Sequence, residues 1–300
     1  MTATSSFAYS HTVGFLANTG RGFNNPVDVA LDSQGILYVL NRAGPETALR
    51  LPYKRVVKCT VDEEYLGEFG TGGTGDGQFW WPSALAFDSE DRFYVADEAL
   101  QRVSIFTKAG ELLGQWGSHG SQDGQLDRPS AMAFDSEDNM YLTDSLNHRV
   151  QKFSKDGTFL GKWGEEGDGP GQFNMPWGVA LDRNGDVYVS DWRNDRVQKF
   201  DPSGRYLAQW GSSGDGEGQF KRPSGLAVDP DGNIYVCDWG NERVQVLSPS
   251  GQVLACFRGD SVTSTWATSY FEANPDEGAA RLAADLEPEV NPRSDHHRET

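Results

Sequence analysis

The sequence predicts an all-β ring of repeated four-stranded units, a β-propeller, and three observations carry that prediction. Pro82, Pro129, Pro176 and Pro223 stand 47 residues apart. Behind each proline the same order of small, large and turn-forming residues returns, and a fixed period of that length marks a repeat architecture. The 35 glycines fall between apolar stretches rather than in one block, as many short strands joined by tight turns require.

The repeat that opens at Pro176 shows how each strand is read. Residues 178–181 alternate small and large side chains and form the first strand. Asn184-Gly185 is a hairpin signal, because that pair tolerates the positive φ of a two-residue turn. Residues 187–190 and 197–200 are the second and third strands. A turn at Pro202-Ser203-Gly204 then leads to an outer strand over 206–210. Strands this short bury nothing alone, and stacking them radially covers their faces and most of their edges.

The division of the chain follows. Residues 8–25 are read as an N-terminal outer strand of a closing blade and a linker, with Gly14-Phe15-Leu16-Ala17 aligned to Thr158-Phe159-Leu160-Gly161. Residues 26–257 hold five blades, over 26–72, 82–119, 129–166, 176–213 and 223–257. Pro26 precedes Pro82 by 56 residues, so the first unit carries nine extra residues, placed in the loop from Arg42 to Lys54. Residues 258–300 fall off the period. There Asn274-Pro275-Asp276-Glu277 reads as a helix start, with a capping residue, a first-turn proline and acids at the positive dipole end. The helix is expected over about 275–286, with a polar tail after it, and residues 258–269 are expected to be the least regular part.

The repeated residues P-x-G-[VL]-A-[LV]-D…Y-V-x-D-x-x-N-x-R-V-Q resemble the NHL repeat. They appear as Asp144, Asn147 and Arg149, as Asp191, Asn194 and Arg196, and as Asp238, Asn241 and Arg243. Asp97 and Arg102 form a weaker copy, and the first repeat has Asn41 and Arg55. The resemblance covers residues 26–257 and implies a six-bladed ring closed by the two termini, of which five blades are present here. TRIM-type members of the family bind RNA, and other relatives are lyases with a channel metal held by several histidines.

A residue type that returns in every blade serves the blade. The Asp97–Arg102, Asp144–Arg149, Asp191–Arg196 and Asp238–Arg243 sets are therefore read as structural, each arginine satisfying an aspartate across a tight loop. Chemistry is sought where repeats differ, on the loops that join outer to inner strands and strands two to three. In resembling propellers these share the ligand-binding face. The candidates are Arg42, Arg50, Tyr53, Trp80, Trp81, Arg128, His148, Trp177, Trp192, Arg193, Arg222 and Trp239, with Met175 and Lys221 beside them. Tryptophan and arginine there suit a binding hot spot. Equally open is a role for the rings in capping blade ends.

The expected function is a non-catalytic scaffold that binds a protein, peptide or small ligand on this face. The alternatives are a propeller-type lyase or hydrolase with a channel metal, and RNA binding. No catalytic residue, metal or cofactor is assigned. Five histidines include only His148 on the relevant loops, and the asparagine- and aspartate-rich turns lack calcium-loop spacing. A net charge of −18 disfavours nucleic acid and anionic lipid. No apolar run reaches the roughly eighteen residues of a spanning helix, and residues 1–15 lack a secretory pattern. The odd number of cysteines, Cys59, Cys237 and Cys256, suggests free thiols in a reducing compartment, so a cytoplasmic protein is expected.

Overall fold

The computed structural model describes residues 9–14, 17, 20–42, 54–259, 264–276 and 279. They form five four-stranded antiparallel sheets, each with its strands in chain order. Blade four runs Pro176–Leu181, Val187–Asp191, Arg196–Phe200 and Tyr206–Trp210 from the channel outward. The all-β propeller read from the sequence is thus the fold. The expected sixth blade is not among the described residues, and the count is five.

Packing between blades is one motif used repeatedly. Ala84, Ala86, Tyr94 and Ala96 of blade two meet Met132, Met140, Leu142 and Phe153 of blade three. Small residues on one face thus leave room for large residues on the next, which makes the interface close-packed. Inner strands pack side by side from blade one through blade five. Among the described residues blade five makes no comparable strand packing on blade one. The sector between them is open at the channel end. Val29 of blade one is 55% exposed, whereas its counterpart Leu85 in blade two is 3% exposed.

The outer rim of that sector is filled by a helix that begins ten residues earlier than the sequence pattern places it. This helix, α1, spans Thr265–Ala273, capped by Ser264, whose hydroxyl accepts the Ala267 N–H. This overturns the expectation that 258–269 would be the least regular stretch, and Asn274 is a C-cap instead of an N-cap. Pro275, Asp276 and Ala279 are helical, while most of the helix expected over 275–286 lies outside the described residues.

Trp266 of α1 is buried and packs near Phe23 and Tyr65, with ring centroids 5.9 and 6.4 Å away. Its place has a precedent in every other blade. The turns before the outer strands of blades two to five carry Gly110, Gly157, Gly204 and Gly251. A Cβ at Gly204 would lie 2.7 Å from Trp163 of the preceding blade, and one at Gly157 would lie 2.4 Å from Trp116. In blade one the same turn position is Glu63, at φ 65°. The aromatic ring there comes from α1.

The N-terminal register also differs from the reading above. A Cβ on Gly14 would strike the Phe23 ring at 2.1 Å, as one on Gly164 would strike Phe173 at 2.5 Å. Ala17 donates to the Phe23 carbonyl just as Gly73 donates to that of Phe79. Gly14 therefore stands where an outer strand has already ended, and the loop from it to Pro26 has the full repeat length. Residues 9–13 correspond to the strand, although none is formed there. Phe15 and Leu16 lie outside the described residues.

Candidate functional site

The loop face is built on a repeated bracket. In blades three, four and five the second strand ends in an aspartate, and a three-residue 3₁₀ turn follows: Ser145–Asn147, Trp192–Asn194 and Trp239–Asn241. The aspartate side chain holds this turn. Asp191 accepts the Asn174 N–H at 2.7 Å, the Asn194 amide at 2.9 Å and Arg196 Nε at 2.8 Å. Arg196 then reaches the carbonyls of Asp168, Gly169 and Gln172. Asp144–Arg149 and Asp238–Arg243 repeat the bond at 2.7 Å. Burial raises Asp144 and Asp191 above the ordinary carboxylate range, against the hydrogen bonds and arginines that lower them.

Blade two departs from the bracket. Asp97 accepts the backbone N–H groups of Trp80, Trp81, Ala99 and Leu100. Arg102 instead donates to the carbonyls of Thr74, Gly75 and Gln78. The bond between Asp97 and Arg102 expected from the repeat is not formed.

After each 3₁₀ turn, and after the corresponding turn of blade two, comes a residue in the left-handed region, and in blades two to four its side chain ties one blade to the next. Gln101 accepts the Arg128 N–H at 2.7 Å, His148 Nδ1 that of Met175 at 3.2 Å, and Asp195 that of Arg222 at 2.7 Å. His148, a binding candidate from the sequence, thus has one ring nitrogen engaged as a strap acceptor.

Two clusters gather most of the other candidates. Over blades one and two, the Arg42 guanidinium sits 4.3 Å above Trp81, and Lys54 lies 4.6 Å from the Trp80 ring. Lys54 also donates to the Trp80 carbonyl. Arg42 is paired at 3.1 Å with the buried Glu98, and burial raises the pKa of that acid. Arg128 is near enough to bear on the same carboxyl. The sequence reading missed Glu98, which occupies the position of Ser145, Trp192 and Trp239; an acid at that repeat position was the available signal. Arg50 and Tyr53 lie outside the described residues.

Over blades four and five the arrangement is open. Trp177 and Trp192 pack with centroids 5.9 Å apart, and Arg222 lies 5.1 Å from the Trp192 ring. Beside them is a cavity of about 780 Å³ lined by Arg193, Lys221, Arg222, Asp195, Asp215 and Asn241, among others. Arg193 and Lys221 are exposed, and among the described residues neither has an ion-pair partner. Trp239, in the same turn as Asn241, is 60% exposed. The other loop-face tryptophans are half-buried or buried, so they cap blade ends as well as edging the face.

A five-bladed propeller with one chemically varied loop face is the class of protein that this geometry defines. The NHL repeat family matches residues 173–200 and 220–247, the bracketed strands of blades four and five. The chain thus carries NHL repeats in these two blades. It is 33% identical over 86 residues to human NHL repeat-containing protein 3, a match spanning 29% of this chain and 23% of that protein; the mouse protein is 35% identical over the same length. Among solved structures, virginiamycin B lyase from Staphylococcus aureus is 13% identical with a TM-score of 0.55, over 79% of this chain and 71% of that one. A chain in the nidogen/laminin complex is 16% identical with a TM-score of 0.57, over 78% and 80% respectively. These two likenesses concern the fold alone.

Proposed function

We propose that this chain is a non-catalytic interaction scaffold whose loop face binds a protein or peptide. The observation that carries this reading is the contrast between frame and filling. The aspartate–arginine bracket repeats with nearly the same bond lengths in three blades, while the residues it positions change from Leu146 to Arg193 and Gly240. Large aromatic and guanidinium groups on a rigid frame supply contact area at little entropic cost, which suits recognition.

The lyase alternative needs converging metal ligands or a general base. Among the described residues no three of His, Cys, Asp and Glu gather as a metal set, and His148 is tied to Met175.

A photoreactive residue in place of Trp239 on the loop face, compared with one in place of Arg183 on the opposite turns, tests the proposal. Discrete protein adducts from position 239 and none from 183 are the expected result. Equal labelling from both positions refutes it.

A further inference from the structure

The repeats act as internal controls for one another, and they single out the cavity between blades four and five. The positions of Arg193, Lys221 and Arg222 are filled by Leu146, Asn174 and Met175 one blade earlier, and by Ala99, Asp127 and Arg128 two blades earlier. The backbone contacts around them are kept: Arg196 and Arg243 both brace their loops, and Asp195 holds the Arg222 N–H where His148 holds that of Met175. Three cations have thus been placed on one backbone frame.

In a chain with 44 acids against 26 lysines and arginines, most cations near an acid become paired. Lys108, Lys152 and Lys199 each contact an aspartate within about the usual bond length. At the blade one–two cluster Glu98 closes on Arg42. At the blade four–five cavity Trp192 occupies the position of Glu98, and among the described residues Arg193 has no ion-pair partner. Of the two acids in the lining, Asp195 already accepts a backbone N–H.

We propose that this cavity binds an acidic peptide segment of a partner protein, its carboxylates meeting Arg193 and Lys221. This deepens the loop-face reading and rests on it. Arginine presents a planar fork matched to carboxylate, so the pairing is directional as well as attractive. The overall charge of −18 does not prevent it. At physiological salt the Debye length is about 8 Å, so distant acids are screened while the cavity cations act at contact. A long polyanion extends over the acidic surroundings, which favours a short segment over nucleic acid.

The test uses the full chain and fluorescein-labelled hexaglutamate in fluorescence anisotropy, with hexauridylate and inorganic phosphate as competitors. Hexaglutamate binds, weakens with added salt, and resists competition by hexauridylate at equal concentration. Arg193→Glu and Lys221→Glu, both at exposed positions, each weaken binding by at least about tenfold. Arg183→Glu, on the opposite face with the same charge change, leaves it within about twofold. An equal loss in Arg183→Glu, stronger binding of hexauridylate, or no hexaglutamate binding at low salt overturns the proposal. Loop-face adducts from position 239 together with any of these results would sink the acidic-peptide assignment and spare the scaffold reading.

Discussion

Trp266 donates its backbone N–H to the Glu63 carboxylate at 2.9 Å and its indole N–H to the Glu63 carbonyl. The other carboxylate oxygen accepts the Gly14 N–H at 2.5 Å. One turn of blade one therefore joins the segment before the repeats to the helix after them. Phe69, Trp116, Trp163 and Trp210 reach the equivalent turns from a neighbouring blade, and α1 supplies the ring where no such blade stands.

Glu63→Ala is expected to cost about 1–3 kcal/mol, because two buried N–H groups lose a charged acceptor. Trp266→Ala should cost about 3–5 kcal/mol through the vacated aromatic site. The two share one contact, so in chemical denaturation the double variant should lose less than the sum of the singles. Additivity of the two losses would show that the turn and the helix are independent.

Arg149→Ala and Arg196→Ala should each destabilise by about 1–3 kcal/mol, since Asp144 and Asp191 are buried and lose a charged donor. Arg102→Ala should cost less, because Asp97 keeps four backbone N–H donors. Thermal unfolding of the three variants ranks them. Equal losses would mean that the carbonyl contacts, and not the aspartate bond, carry the effect.

Asp28 stands where later blades have Ala84, Ala131, Gly178 and Gly225. Burial pushes its carboxyl from the ordinary 3.8 to about 6, against bonds from the Leu85 and Val29 N–H groups. A carboxyl raised in the folded state keeps its proton more firmly there. Its contribution is therefore fully favourable below about pH 4 and is lost as pH rises through about 6, up to roughly 3 kcal/mol. Asp28→Asn should accordingly be more stable than the parent at pH 7.5, with the gap shrinking toward pH 4. A gap that does not change with pH would exclude ionisation of Asp28 as its source.

Cys59 is buried, and that burial pushes its thiol to about 11, whereas Cys237 and Cys256 are exposed. Desolvation and then the charge of Asp28 raise the Cys237 thiol. A thiol reagent at pH 8 should titrate Cys237 and Cys256 in the native protein and Cys59 only on unfolding. Native reaction of all three would show that blade one opens readily.

Much of the architecture was legible because each blade restates it: a strand placed correctly after Pro176 places its counterparts after Pro82, Pro129 and Pro223. What lies outside the period was not. Trp266 has a spatial counterpart in Trp163 but none in sequence, since a helix delivers it. The shift at Gly14 escaped because Tyr9–Val13 have no apolar alternation to set the register. In the candidate site, disagreement among repeats singled out Arg193 and Arg222, and both line the cavity. It could not separate Arg42 from Arg193, because that difference depends on Glu98, 56 residues from Arg42 and adjacent only in the fold.

The Glu63 junction also decides how the molecule bears load. Tension drawn on the segment before Gly14 and on the helix after Trp266 meets at one turn, leaving the loop of chain through blades one to five outside the line of pull. The first rupture under force should release that short bridge in shear. Only afterwards should the blades themselves be stretched, peeling in sequence from whichever flank is then exposed.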